Sequence, residues 1–199
     1  MNESTRMILV LTLIAMISGA SLSLVYGLTE GIIRDNLARE LHASIFQVLP
    51  GAVDVTVIEA SGSLFVEDDE SSLKNIDDSD DEPLLLYKGL DADGESVGFA
   101  YVAEETGYGG IIKVMVGVDD ETEQIIGVII LEHAETPGIG NKIEDESFRN
   151  QFIGKTVTDP IALGKDIQGI TGATVSSRGV IHAVQKDLEK AIQAYKEAN

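Results

Sequence analysis

The segment Thr171-Gly172-Ala173-Thr174-Val175-Ser176-Ser177 stands immediately before a helical hydrophobic pattern and decides how the C-terminal half of the chain folds. Apolar residues recur after it every three or four positions, which predicts an amphipathic helix; they are Val180, Ile181, Val184, Leu188, Ala191, Ile192 and Tyr195. The start of such a helix offers free backbone N–H groups and the positive end of the helix dipole, so it can hold a phosphate. Gly172 and Ala173 carry minimal side chains and let a bulky group approach the backbone. On these residues alone a simple helix cap, made by Thr174 or a neighbouring Ser, stays open.

Three other segments accompany this one in a fixed order along the chain. They are Leu49-Pro50-Gly51, the glycine-rich run from Gly107 to Val114, and Glu135-Thr136-Pro137-Gly138-Ile139-Gly140. Together with the segment from Thr171 to Ser177 they resemble the FMN-binding domain family. With its hydrophobic N-terminus, the whole chain resembles the G subunits of the Rnf electron-transport complexes. The C subunit of the Na+-translocating NADH:quinone reductase is a related alternative.

The resemblance implies a covalent cofactor. In that family FMN is joined through its phosphate to the hydroxyl of the last Thr of the motif, which is Thr174 here, and a flavin transferase makes the ester. The surrounding motif residues Thr171, Gly172, Ala173, Ser176 and Ser177 are then candidate cofactor contacts, with the two serines expected to cap the helix. The loop that contains Thr136 and Gly138 is expected to lie against the flavin.

One position departs from the family pattern. The family has Asp three residues before the first motif Thr, whereas this chain has Gln168 there and Asp166 two residues earlier. We therefore expect the flavin transferase to modify this chain less readily, unless Asp166 serves in place of the missing Asp.

The functional role that the resemblance implies is electron relay. Electrons pass from ferredoxin to NAD+ through several subunits while Na+ or H+ crosses the membrane, and this protein would be one relay point. The chain has no Cys, so it has no thiolate ligands for an iron–sulfur cluster, and redox chemistry needs a bound cofactor. No acid–base pair for substrate turnover is apparent, which favours an electron-transfer subunit over a complete enzyme. A flavin-dependent sensor and a non-redox surface-binding module stay open as alternatives.

A metal site is the other chemistry that the sequence raises. Glu132, His133 and Glu135 lie close together along the chain, but no second His is nearby, so we predict no metal site.

The N-terminus predicts a membrane anchor. Residues from Met7 to Thr29 contain no charge and would form a helix of about 34 Å, enough to cross a hydrocarbon core of about 30 Å. A cleaved signal peptide is the rival, since Ser18-Gly19-Ala20-Ser21 resembles a cleavage site, but a signal core is normally shorter. We expect an anchor over residues 1–29 and one domain over residues 30–199. A cytoplasmic N-terminus and an extracytoplasmic domain follow only from the resemblance, because Lys and Arg are not biased to either side of the span.

Charge limits the possible partners. The formal net charge is −20, which would repel a phosphate backbone, so nucleic-acid binding is not expected. Residues 67–82 contain nine acidic residues and one Lys, and we interpret them as an exposed acidic loop. The other proteins of a membrane electron-transport complex are the partners that the resemblance implies.

The remaining pattern predicts an α+β fold with a mainly antiparallel sheet and flanking helices. A helix is expected from Ile32 to Leu49, ending at Pro50-Gly51. Candidate strands follow period-two or continuous apolar runs; they cover residues 53–57, 84–88, 97–103, 111–118 and 124–132, the last two forming a hairpin. A short helix over 145–152 and a short strand over 161–163 complete the prediction.

Overall fold

An apolar N-terminal sequence forms a long helix in the computed structural model, which describes residues 3–59 and 84–198. Helix α1 runs from Glu3 to Val48 and contains one stretch, Arg6–Thr29, that is long and apolar enough to cross a membrane by length and composition. The chain divides into two compact units, Met1–His42 and Ala43–Asn199. The acidic segment 67–82 lies outside the described residues, so its interpretation stays a prediction.

The second unit is built on a five-stranded antiparallel sheet. The strands follow one another in sequence order and in space, as β1 Asp54–Glu59, β2 Leu85–Leu90, β3 Ser96–Thr106, β4 Ile111–Val118 and β5 Ile125–Glu132. The predicted hairpin is confirmed, since β4 pairs with β5. The rest of the sheet is also close to prediction, with the strand ends shifted by up to three residues. The α+β expectation is therefore confirmed.

One face of the sheet carries the core. Helix α3, Thr174–Ala198, lies against β3 and β4 and buries every apolar position that predicted it. The hydroxyl of Tyr101 on β3 donates a hydrogen bond of 3.1 Å to the carbonyl of Val184, which adds a polar contact between sheet and helix. The helix is therefore held along its length, and its N-terminal residue has a fixed place at one end of the sheet.

The last turn of α1 covers part of the opposite face. Ile45, Val48 and Leu49 are fully buried, as expected for the end of the predicted helix. The backbone of Val48 lies so close to β4 and β5 that only glycine fits beneath it, and Gly117 and Gly127, which are paired across the two strands, occupy these positions.

Two connections complete the domain. After β5 the chain forms a 3-10 helix, Gly140–Glu144, then α2, Glu146–Arg149, and a second 3-10 turn, Asn150–Phe152, so the predicted short helix is split into an α and a 3-10 part. The predicted strand over 161–163 is wrong. Leu163 makes an isolated bridge to Ile167, and Ile161 has a φ of +37°, which is incompatible with a strand.

Candidate cofactor site

The turn before α3 fixes where the helix begins. Gly172 has a φ of +83°, which glycine adopts without the steric penalty of other residues. The Ala173 amide donates to the carbonyl of Ile170 at 3.0 Å, closing the turn. Ser177 then ties turn to helix, because its hydroxyl accepts the Ile170 amide at 3.0 Å and donates to the Ala173 carbonyl at 2.9 Å. Thr174 is therefore presented as the first residue of a well-held helix.

The four hydroxyl side chains of the motif differ in their exposure to solvent. Thr171 and Thr174 are exposed. Ser176 and Ser177 are 1% and 0% exposed, and both hydroxyls are engaged inside the domain. The expectation that these two serines cap α3 is wrong, since both stand within the first turn of the helix and Ser176 bonds outside it. Of these four hydroxyls, those of Thr171 and Thr174 are accessible for covalent modification.

Ser176 reaches a buried carboxylate. Its hydroxyl donates to Glu135 Oε2 at 2.6 Å, and Glu135 is only 5% exposed. Glu135 Oε1 accepts two backbone amides of the glycine-rich turn, from Tyr108 at 2.7 Å and from Gly109 at 3.1 Å. One carboxylate thus connects the loop after β5, the turn before β4 and the first turn of α3.

Glycines surround this carboxylate closely. A Cβ at Gly107 would collide with Glu135 Oε1, and one at Gly140 would lie 2.8 Å from Oε2 and 3.3 Å from the Ser176 hydroxyl oxygen. The glycine-rich turn is closed by a hydrogen bond of 2.7 Å from the Gly107 amide to the Gly110 carbonyl. These glycines therefore leave room for the Glu135 carboxylate between the turn and the loop after β5.

The loop predicted to lie against a cofactor is next to the motif. Gly172 faces Ile139, whose Cγ2 atom would be 3.5 Å from an added Cβ. Thr136 and Gly138 are both exposed, and the Thr136 carbonyl accepts the Gly140 amide at 2.8 Å. The Gly138 amide donates to the side chain of Asn141 at 2.7 Å, so this amide already has an acceptor. A ligand at Gly138 would contact the exposed surface of the loop.

Apolar side chains are exposed around the same end of the domain. Tyr108 is 74% exposed beside the amide that Glu135 holds, and Ile139 and Val175 are exposed as well. Tyr108 lies in the glycine-rich turn that Glu135 binds, Ile139 lies against Gly172, and Val175 follows Thr174 directly in α3. A planar apolar group attached near Thr174 would find hydrophobic partners there.

The two upstream residues have different roles. Asp166 accepts the backbone amides of Ile161 at 3.1 Å and Ala162 at 2.7 Å, and Lys155 Nζ lies 3.0 Å from its carboxylate. Burial raises the pKa of Asp166, but the hydrogen bonds from Ala162 and Lys155 outweigh it, so the pKa lies below its usual value. Gln168 is exposed, and its backbone is held by the side chain of Gln151. The Asp166 carboxylate is thus engaged in its own turn.

The residues weighed as metal ligands, Glu132, His133 and Glu135, each have other partners. His133 Nδ1 accepts the Glu135 amide at 3.0 Å, and Nε2 lies 3.1 Å from Glu144 Oε1. Within residues 3–59 and 84–198, no group of three or more His, Asp or Glu side chains is arranged to hold a metal ion. Sequence reasoning considered Glu135 only as a possible ligand and missed its buried position, since a single acidic residue in a glycine-rich context carries no signal of burial.

Comparison with known proteins places these features in a family. The model of the FMN-binding domain matches residues 107–189, which include the glycine-rich turn, Glu135 and the start of α3. The G subunit of the ion-translocating oxidoreductase complex of Aliivibrio fischeri is 32% identical over 188 residues, spanning 89% of this chain and 85% of the relative. The G subunit of a Na+-translocating ferredoxin:NAD+ oxidoreductase complex of Acetobacterium woodii is 29% identical over 191 residues, spanning 91% and 88%.

A solved structure shares the fold. The crystal structure of Shewanella oneidensis NqrC aligns with a TM-score of 0.62 over 81% of this chain and 100% of its own, at 18% identity. Because the Aliivibrio relative is matched along most of its length, the chain belongs to the family of G subunits of ion-translocating oxidoreductase complexes.

Proposed function

We propose that this protein is a membrane-anchored electron-relay subunit of an ion-translocating ferredoxin:NAD+ oxidoreductase complex, with FMN attached through its phosphate to Thr174. The observation that carries the proposal is the contrast among the motif hydroxyls. Thr174 is exposed at the first position of α3, while Ser176 and Ser177 are buried and bonded.

The residues around Thr174 fit both the phosphate and the isoalloxazine ring of FMN. A phosphate on Thr174 would lie at the N-terminus of α3, where the first backbone amides have no acceptor within the helix and the helix dipole favours negative charge. The isoalloxazine ring would lie beside exposed Tyr108, Ile139 and Val175. The bound flavin supplies the redox chemistry, and the protein binds it and sets its surroundings.

The attachment is a phosphoester. A bond forms between Thr174 Oγ1 and the phosphorus of FMN, the hydroxyl proton is released, and the leaving group of the flavin donor departs from phosphorus. The flavin transferase supplies the donor and catalysis. A tether keeps the cofactor in place at any concentration of free FMN, which suits a protein that only passes electrons on.

The stretch Arg6–Thr29 supports membrane anchoring. The orientation that we propose, with the N-terminus in the cytoplasm and the domain outside, follows from the family resemblance. A protease added to intact cells tests this orientation, because it reaches the domain only if the domain lies outside the membrane. We expect cleavage in intact cells. Cleavage restricted to inverted membrane vesicles would place the domain in the cytoplasm.

The partner proteins are tested in the native complex. The tagged chain, purified from membranes in mild detergent, is expected to bring further subunits with it, and reduced ferredoxin is expected to reduce its flavin. Thr174→Ala should still assemble but should lose this flavin signal, whereas Thr174→Ser, which retains a hydroxyl, should keep at least part of it. Reduction by NADH with quinone as the acceptor, and none by ferredoxin, would instead identify a quinone-reductase complex. A flavin that no complex reduces would indicate a sensor.

A further inference from the structure

We propose that Glu135 is the positioning residue of the flavin site, acting through Ser176 and the turn from Gly107 to Gly110 to fix the surroundings of a cofactor on Thr174. This inference rests on the proposed FMN attachment. It assigns a function to a buried carboxylate that the relay itself does not require.

The Glu135 carboxylate is held by three neutral donors. The Ser176 hydroxyl and the amides of Tyr108 and Gly109 all donate to it, at 2.6, 2.7 and 3.1 Å. An ionised carboxylate only accepts, so three donors suit the charged form. Among the described residues no Lys, Arg or His side chain forms an ion pair with Glu135. Burying a carboxylate without a cationic partner is costly unless hydrogen bonds compensate, and here three donors do so.

The hydrogen-bond partners of Glu135 lie next to the residues proposed to hold the cofactor. Ser176 stands two positions after Thr174 in the first turn of α3. Tyr108, whose amide Glu135 binds, carries one of the exposed apolar side chains of the site. Gly107 and Gly140 leave room for the carboxylate, which excludes larger side chains from both positions. Glu135 therefore sets the position of the Tyr108 turn relative to the attachment residue.

Two consequences follow for a bound flavin. Loosening of the Tyr108 turn would change the contacts of the isoalloxazine ring and hence its absorption spectrum. The negative charge would also disfavour added electrons, since a buried charge is weakly screened, so neutralising it should raise the midpoint potential.

The test compares full-length variants co-expressed with the flavin transferase. Glu135→Gln removes the charge but keeps an oxygen that can accept the two amides, while Glu135→Ala removes all three bonds and Ser176→Ala removes one. Glu132→Gln is the matched control, because Glu132 stands three residues away, is exposed and pairs with Lys113 at the surface. The readouts are amide hydrogen exchange at Tyr108 and Gly109, the flavin absorption spectrum, and the midpoint potential.

We expect exchange at the two amides to rise about tenfold or more in Glu135→Ala, as loss of a hydrogen bond predicts, and less in Glu135→Gln. Glu135→Gln should shift the midpoint potential upward, Ser176→Ala should alter the spectrum, and Glu132→Gln should leave all three readouts at wild-type values. If Glu135→Ala does not fold, Glu135→Gln and Ser176→Ala still test the positioning role.

Three results separate the possibilities. Faster amide hydrogen exchange in the Glu135 variants, with an unchanged midpoint potential and flavin spectrum, would show that Glu135 only stabilises the turn. That result would overturn the positioning role. Unchanged exchange, spectrum and potential in fully flavinylated Glu135→Gln would also overturn it. Wild-type protein that takes up no FMN would instead refute the proposed function, on which the positioning role depends.

Discussion

At the scale of single residues, Thr174 and Ser176 have opposite surroundings although only one residue separates them. An α-helix turns by about 200° over two positions, so exposure of the first side chain directs the second toward the domain interior. Thr174 is accordingly exposed, while Ser176 is buried against Glu135. The motif alone left four hydroxyls, and helix geometry together with the turn before α3 reduces them to Thr171 and Thr174.

We predict that Gln168→Asp increases the initial rate of flavinylation by about fivefold, the difference expected between a neutral and a charge-assisted hydrogen bond. Gln168 is exposed and its backbone is held by Gln151, so the substitution adds a charge without moving the chain. Gln168→Asn is the neutral control of the same size as Asp. The initial rate of flavinylation is measured from the flavin fluorescence of the denatured protein. Equal rates for the Asp and Asn variants would show that the transferase does not recognise a charge at this position.

Asp166 is predicted to act on stability. Asp166→Asn places an NH2 group against one of the two amides of the turn and removes the pairing with Lys155, which should cost about 1–3 kcal/mol at neutral pH. Because the pKa of Asp166 is lowered in the folded protein, its contribution is present above the unfolded pKa of about 4 and is lost as the pH falls through the folded value. The difference between variant and wild type, followed by urea unfolding with circular dichroism, should therefore shrink in acid. A difference that stays constant from neutral pH into acid would contradict this role.

At the scale of secondary-structure elements, the last turn of α1 depends on glycines of the sheet. A Cβ at Gly127 would lie 2.5 Å from both the Cα and the carbonyl oxygen of Val48. We predict that Gly127→Ala destabilises the full-length protein in detergent by about 1–3 kcal/mol, as overpacking does. Adding Val48→Ala should not restore stability, because two of the close contacts are to backbone atoms. Restored stability in the double variant would locate the strain in the Val48 side chain.

Much of this element structure could be predicted from the sequence, for physical reasons that differ between elements. The 3.6-residue period of α3 and the apolar runs of β4 and β5 report burial directly, and these elements are confirmed. The prediction of a strand over residues 161–163 is wrong because the Asp166 carboxylate accepts two backbone amides of this segment and holds it as a turn. The hydrophobic pattern does not report such a side-chain effect. The buried position of Glu135 and the contact of Val48 with glycines depend on long-range packing, which a single sequence does not encode locally.

At the scale of the whole molecule, the protein combines a helix able to span a membrane with a domain of the FMN-binding family. We predict that the anchor is retained in the mature protein, because its uncharged stretch is longer than a typical signal core. N-terminal sequencing of the chain from purified membranes should find Met1 or Asn2. A mature N-terminus near Ser21, with the domain released from membranes, would contradict anchoring.

The most direct measurement on the central claim is peptide mass mapping of the chain made with an active flavin transferase. The peptide that contains residues 171–177 should carry the mass of one FMN less one water, and fragmentation should place it on Thr174. Thr174→Ala should lose the modification yet stay folded, since a hydroxyl at a helix start contributes only about 0.5–2 kcal/mol, and Thr174→Ser should keep at least part of it. FMN on Thr171, Ser176 or Ser177 would contradict the assignment, and a colourless, unmodified wild-type protein would contradict the flavin function itself.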